Sequence, residues 1–120
     1  MTSIEALDIE TQTNDTYTVL RPSGDLDAYG VADFRLALAA LVGVERLVVD
    51  LSNVAFMDSS GLGALVGGVR RRRDSGGQTA VACGQGPLIR MLRATGFDRV
   101  VPVAPTVGDA AAMIPAVPSA

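Results

Sequence analysis

Three short runs rich in apolar residues limit what this chain can fold into: Arg46–Leu51 (RLVVDL), Thr79–Cys83 (TAVAC) and Arg99–Val103 (RVVPV). Each is continuous rather than alternating, and the stretches between them carry helical spacing. Continuous apolar strands suit a sheet covered on both faces, and strand–helix–strand order calls for parallel pairing through crossovers. Ahead of them, Ile4, Ala6 and Ile9, then Tyr17–Leu20, flank Asn14-Asp15 and read as an opening β-hairpin that ends at Pro22-Ser23-Gly24. Val31, Phe34, Leu38, Leu41 and Val42 fall at three- and four-residue steps, predicting a helix over about 28–42 stopped by Gly43. Further helices are predicted over roughly 61–73, 87–94 and from a Thr106 cap to Met113. The expectation is one α/β layer sandwich over residues 1–114, a small mixed sheet with an N-terminal hairpin and about four helices. The tail 115–120 is expected to fray.

What the chain lacks restricts its chemistry. It has no His, and all ten basic residues are Arg. That removes Ser-His-Asp and Cys-His nucleophiles, the commonest zinc ligand, the Walker lysine and any Schiff base. A net charge of −3 argues against a phosphate-backbone partner. One cysteine, Cys83, cannot close an intrachain disulfide, and its apolar strand marks it as a small core residue. Met57 and Met91 likewise read as core. The opening residues show no signal-peptide pattern. The weakly polar stretch Ser59–Val69 stops at four arginines, well short of the roughly 20 residues a membrane span needs. A cytoplasmic protein with no metal, no membrane contact and no nucleic acid is expected.

One segment carries chemical information: Val54-Ala55-Phe56-Met57-Asp58-Ser59-Ser60-Gly61-Leu62-Gly63. Apolar residues run into a polar triplet where a helix begins, and the first helical turn exposes unpaired amides at the positive end of the macrodipole. Asp58 or one of the serines must cap that helix. Gly61 and Gly63 leave its backbone uncovered, so a phosphate could be received there without a cation. The glycines do not form a dinucleotide fingerprint, since Val66 stands where a third is required. Gly63 and Gly67 form a GxxxG step that suggests close packing against a strand. Arg70 to Arg73 reads as a solvated helix end whose cations favour the C-terminal dipole, with a role in steering an acidic partner as the alternative. Arg90 and Arg93 read as surface charges.

In this order of motifs the sequence resembles the anti-sigma-factor antagonists, the single-domain STAS proteins. Gly24-Asp25-Leu26-Asp27 is similar to the family's loop before its first helix, and Val48-Val49-Asp50-Leu51 to its central strand. Phe56-Met57-Asp58-Ser59-Ser60-Gly61-Leu62-Gly63 is nearly its signature. Gly76-Gly77 to Cys83, Met91-Leu92 and Gly96-Phe97 follow its later strand and helix.

The resemblance implies a STAS-like fold and a regulatory binding module without catalysis. It makes Ser59 the residue phosphorylated by a partner anti-sigma factor serine kinase. Asp25, Asp27, Asp58, Ser60, Gly61, Leu62 and Gly63 would support that site, with Asp27 and Asp58 orienting the hydroxyl. ATP and magnesium would come from the kinase, leaving the chain no cofactor of its own, and a PP2C-type phosphatase would reverse the mark. Ser60 is expected to be a capping hydroxyl. Two readings compete: an enzyme using Ser59 as nucleophile, weakened by the lack of any base but a carboxylate, and a non-switching scaffold or nucleotide- or anion-sensing module at the same helix terminus.

Overall fold

A computed structural model describes residues 7–115. Eleven elements follow one another: β1 (Asp8–Thr13), β2 (Thr18–Leu26), α1 (Val31–Ala40), β3 (Arg46–Asp50), β4 (Val54–Met57), α2 (Ser59–Asp74), β5 (Gln78–Ala82), α3 (Gly86–Ala94), α4 (Phe97–Val100), β6 (Val103–Ala104) and α5 (Val107–Ala112). The sheet order is β1-β2-β3-β5-β6, with β4 also on β2. Among the described strands only β1 is antiparallel, as the hairpin around Asn14 requires. The Asn14 carboxamide accepts from the amides of Thr16 and Tyr17, closing that turn.

The strands bury both faces. Leu20, Leu47, Val49, Val81 and Cys83 face α1, α2 and α3, where Phe34, Leu38, Leu65, Val69, Leu88 and Leu92 complete the main core. Val19, Val48, Ala80, Ala82 and Ala104 point the other way, and α5 lays Ala110, Ala111 and Ile114 on them. Small residues there let a six-residue helix sit close to the sheet. The Thr106 hydroxyl accepts from the Asp109 amide, confirming the expected cap. Beyond α5, Asp50 is buried and ion-paired to Arg21 at 2.7 Å. Burial pushes its carboxyl up, but hydrogen bonds from Arg21 and Ser52 outweigh this and hold it below the usual range. The pair therefore contributes above the ordinary carboxylate pKa and fades as pH falls through the lowered value.

The fold departs from the expected one in four places. The second strand does not stop at Pro22 but runs to Leu26, because its partner changes. It pairs β3 only through Leu20↔Val49, and resumes on β4 at Gly24↔Val54 after which the register shifts. Pro22, which has no N–H, falls in the gap between these two pairings, and Gly24 takes φ +113° beside the irregularity. The run Arg99–Val103 is not one strand: Phe97–Val100 form the short α4, a fifth helix, and only Val103–Ala104 join the sheet. Gly96 at φ +78° turns the chain there and Phe97 is buried beneath.

The arginine block is not wholly solvated. Arg72 is 1% exposed, donating to the Thr79 hydroxyl at 2.8 Å and to the Leu41 and Gln78 carbonyls at 2.6 and 2.9 Å. Finally, the close-packing glycines are not the GxxxG pair. A Cβ at Gly63 would meet open space and one at Gly67 only the Arg71 side chain, whereas one at Gly68 would lie 2.6 Å from Leu38 Cδ1. The predicted tail 115–120 lies, Pro115 apart, outside the described residues, as do Ile4 and Ala6.

Candidate functional site

The candidate site forms where two parallel strands end together. Leu26, the last residue of β2, is in register with Met57, the last of β4. The Asp58 amide donates to the Leu26 carbonyl at 3.2 Å, so the strand ends are tied at the point where α2 starts. Asp58 stays extended (φ −101°, ψ −172°), and its Oδ1 accepts from the Gly61 amide at 3.0 Å. That is an N-cap: it satisfies one of the amides the first turn leaves open.

With Asp58 as cap, Ser59 becomes the first helical residue and lies exposed. Ser60 is half-buried within the first turn and is not the cap, contrary to expectation. Gly61 is buried because α2 enters over β2: a Cβ there would sit on the Leu26 carbonyl oxygen. Leu62 is half-buried against the main core, and Gly63 is exposed.

The neighbouring loop is built by the same device. Asp27 Oδ1 accepts from the Tyr29 and Gly30 amides at 3.0 and 3.1 Å, ordering the turn into α1. Gly30 is needed there because a Cβ would lie 2.9 Å from the Asp25 carbonyl oxygen. Asp25 is exposed and in register with Phe56. The fold thus gathers Asp25, Asp27, Asp58 and Ser59 at one end of the sheet. The hydrogen bonds that Asp27 and Asp58 make run to backbone amides, however, and not to the Ser59 hydroxyl.

Three features escaped sequence reading. Tyr29, in the Asp27 turn, is 91% exposed, and Phe56 is 54% exposed. Tyr29 stands outside the Val31–Phe34–Leu38 period, which was the available signal. Phe56 gave none, since β4 buries only its two ends and does not alternate. Third, Gln85 reaches from the loop after β5 and donates to the Leu51 and Val54 carbonyls at 2.6 and 3.1 Å, bracing the turn between β3 and β4. Cys83 lies buried beneath it, and burial pushes its thiol up, so it is a core residue and not a nucleophile.

Gly61, expected to leave the backbone uncovered, is instead packed on β2 with its amide taken by Asp58, and only Gly63 lies open. An exposed serine on the first turn of a long helix still suits acceptance of a phosphoryl group and its charge. Among the described residues no cluster of His, Cys, Asp and Glu could hold a metal, and no helix is long and apolar enough to cross a membrane. The profile of the STAS domain family matches residues 8–110, which takes in the sheet and the start of α2. The chain belongs to the STAS domain family.

Among its relatives is the anti-sigma F factor antagonist of Paenibacillus polymyxa, 31% identical over 100 residues that span 81% of this chain and 86% of the relative. The anti-sigma-B factor antagonist of Staphylococcus aureus strain NCTC 8325 is 40% identical over 63 residues, covering 51% of this STAS chain but only 58% of the relative. The crystal structure of an anti-sigma factor antagonist from Mycobacterium paratuberculosis superposes with a TM-score of 0.77 at 27% identity, covering 92% of this chain and 95% of that one.

Proposed function

We propose that this chain is an anti-sigma-factor antagonist: unphosphorylated, it binds a partner anti-sigma serine kinase and frees a sigma factor, and phosphorylation of Ser59 ends that binding. The observation that carries the reading is the exposure of Ser59 at the first residue of α2, next to a cap that fixes the helix start. Antagonist relatives at 31% and 40% identity support the class of partner. The chain acts as a binding module in the cytoplasm. Its own residues present the hydroxyl, while ATP and magnesium come with the kinase and a PP2C-type phosphatase restores the binding form.

The switch needs no change of fold. A phosphate adds about −1.5 to −2 charges and three acceptor oxygens at a site meant to be covered by a partner. Burying such a group unpaired in an interface weakens binding by about 2–5 kcal/mol. At about 1.4 kcal/mol per factor of ten, that is roughly 30- to 4,000-fold.

The test is incubation with purified anti-sigma factor kinases of the host genome and magnesium–ATP, followed by fragmentation mass spectrometry. One phosphoryl group mapped to Ser59, absent in Ser59→Ala and present in Ser60→Ala, supports the reading. A modification at another residue, or complexes with the same kinase equally tight for Ser59→Ala and Ser59→Asp, defeats it.

A further inference from the structure

The two edges of the sheet are unequal. On one side β6 is two residues long, while on the other β1 pairs β2 through six residues with no shift of register. We propose that the outer edge of β1 is a self-recognition surface: β1 of a second copy of this chain pairs antiparallel with it, centred on Thr11, and joins the two sheets. The inference goes beyond the function proposed above and does not rest on it.

The alternation of an antiparallel ladder fixes which backbone groups are free. Asn14 donates to the Tyr17 carbonyl, so Gln12↔Val19 and Glu10↔Arg21, two and four residues on, are the hydrogen-bonded pairs. Thr13↔Thr18 and Thr11↔Leu20 lie between them as non-bonded pairs. The 3.2 Å contact of the Thr13 and Thr18 hydroxyls agrees, since side chains stand closest there. The Gly24 amide gives the same parity from β2, because it donates away from β1, to Asn53. Ile9, Thr11 and Thr13 therefore turn their N–H and C=O groups outward, and nothing among the described residues takes them. Strand edges are usually blunted by a proline, a bulge or a lysine. The run Asp8-Ile9-Glu10-Thr11-Gln12-Thr13 has none of the three, and its outward groups belong to β-branched residues, which favour strands.

The side chains select the occupant. Both carboxylates of β1 fall in its first half. In an antiparallel copy centred on Thr11, Thr11 meets itself and Ile9 meets Thr13 of the second copy, on both sides of the axis. Each such pair exchanges two backbone bonds. Glu10 then stands opposite Gln12 of the second copy, and Asp8 opposite its Asn14, so every carboxylate meets a carboxamide. The carboxamides are already turned for this. Gln12 faces its oxygen to Arg21 at 3.4 Å, and Asn14 gives its oxygen to the Thr16 and Tyr17 amides, which leaves the N–H groups of both to an incoming acid. Moving the centre to Glu10 loses a bonded pair and sets Glu10 against Glu10, a destabilising contact. Such self-complementarity is what a two-fold contact between identical chains requires. The two hairpin tips then point apart, and the Ser59 corners lie at opposite ends of the joined sheet.

The test is sedimentation equilibrium of the full chain, at low and physiological salt, up to about 1 mM, where small transient interfaces still form. Wild type is expected to shift from the 12.4 kDa of one chain toward twice that mass. Thr11→Pro loses an N–H that points away from β2, so the hairpin should stay and the dimer weaken roughly tenfold or more. Gln12→Arg should tighten the dimer and Gln12→Glu weaken it, each about twofold or more, and both changes should shrink as salt rises. Arg93→Glu, on the exposed surface of α3, should match wild type. Melting temperatures show whether each variant keeps its fold. Should Thr11→Pro melt early, Thr11→Arg takes its place, since it sets two guanidinium groups across the axis and should weaken the dimer as far. A wild-type chain that stays monomeric throughout overturns the proposal. So does a dimer indifferent to the Thr11 variants, or one that the Gln12 variants shift in the reverse order.

Discussion

The two ends of α2 are built from polar residues put to opposite uses. At the start, Asp58 spends its carboxylate on the Gly61 amide and leaves Ser59 outside. At the finish, Arg72 is drawn in until 1% of it is exposed, and its guanidinium spans the end of α1 and the start of β5. The helix is thus pinned at its C-terminal end by a buried cation with neutral acceptors, and is free at its N-terminal end to change charge. What the contrast teaches is that a charge switch can be placed on a helix without loosening it, provided the other end holds.

The strongest way to break that comparison is to remove the pin. Arg72→Met keeps an unbranched apolar stem but leaves the Leu41 and Gln78 carbonyls and the Thr79 hydroxyl without their donor. Burial already lowers the pKa of this guanidinium, a sign of how much solvation it gives up to sit there. With about 1–3 kcal/mol for each buried group left unpaired, the loss should reach about 3 kcal/mol, or roughly a 10 °C fall in Tm by calorimetry. A loss under about 0.5 kcal/mol, the ordinary scale of surface changes, means the C-terminal end is not pinned this way.

Next in size is Gly61→Ala. The added methyl collides with the Leu26 carbonyl and lies 2.9 Å from the Leu26 Cβ, so α2 must lift away from β2. Overpacking of this kind costs about 1–3 kcal/mol. Gly63→Ala, into open space, is the matched control and should be neutral or slightly stabilising by urea titration. Equal losses at the two positions would mean the helix start is not held against β2.

These residues also show what the sequence made legible. Arg46–Leu51 and Thr79–Cys83 were readable as strands because unbroken apolar runs on buried strands leave few alternatives. The Asp-Ser-Ser-Gly corner was readable because a cap, an exposed amide turn and a close-approach glycine all leave marks in local sequence. Arg72 shows itself by position and not by type: Gly61, Ala64, Leu65, Gly68, Val69 and Arg72 are all buried and recur at three- and four-residue steps, while an arginine in a run of four suggests a solvated surface. The continuation of β2 through Pro22 and Gly24 had no local signal, because it depends on where two other strands begin and end. The groove that Phe56 and Met57 of β4 line with Pro87, Leu88 and Met91 of α3 is equally silent, since α3 comes from thirty residues further on.

A smaller effect separates holding the helix start from using it. Asp58→Ala removes the acceptor of the Gly61 amide and should cost about 1 kcal/mol, the usual value for a lost N-cap, while Asp58→Asn keeps most of it. Both can be measured by urea denaturation. If the cap also presents Ser59, phosphorylation by the partner kinase slows in Asp58→Ala and is restored in Asp58→Asn. A normal rate in Asp58→Ala assigns the cap to stability alone.

The smallest effect on stability is the one that sharpens the comparison most. Ser59→Asp adds a negative charge at the first residue of α2, where the helix terminus welcomes it. Stability should therefore rise by about 0.3–1 kcal/mol, with the gain shrinking as salt screens it. The same substitution should weaken the complex with the anti-sigma factor, because a partner covering Ser59 meets that charge without a donor or cation to compensate it. Stability and affinity then move in opposite directions in one variant, which a damaged fold cannot produce. A Ser59→Asp chain that loses both would place the switch in a loosened helix; one that loses affinity while gaining stability places it in the surface charge itself.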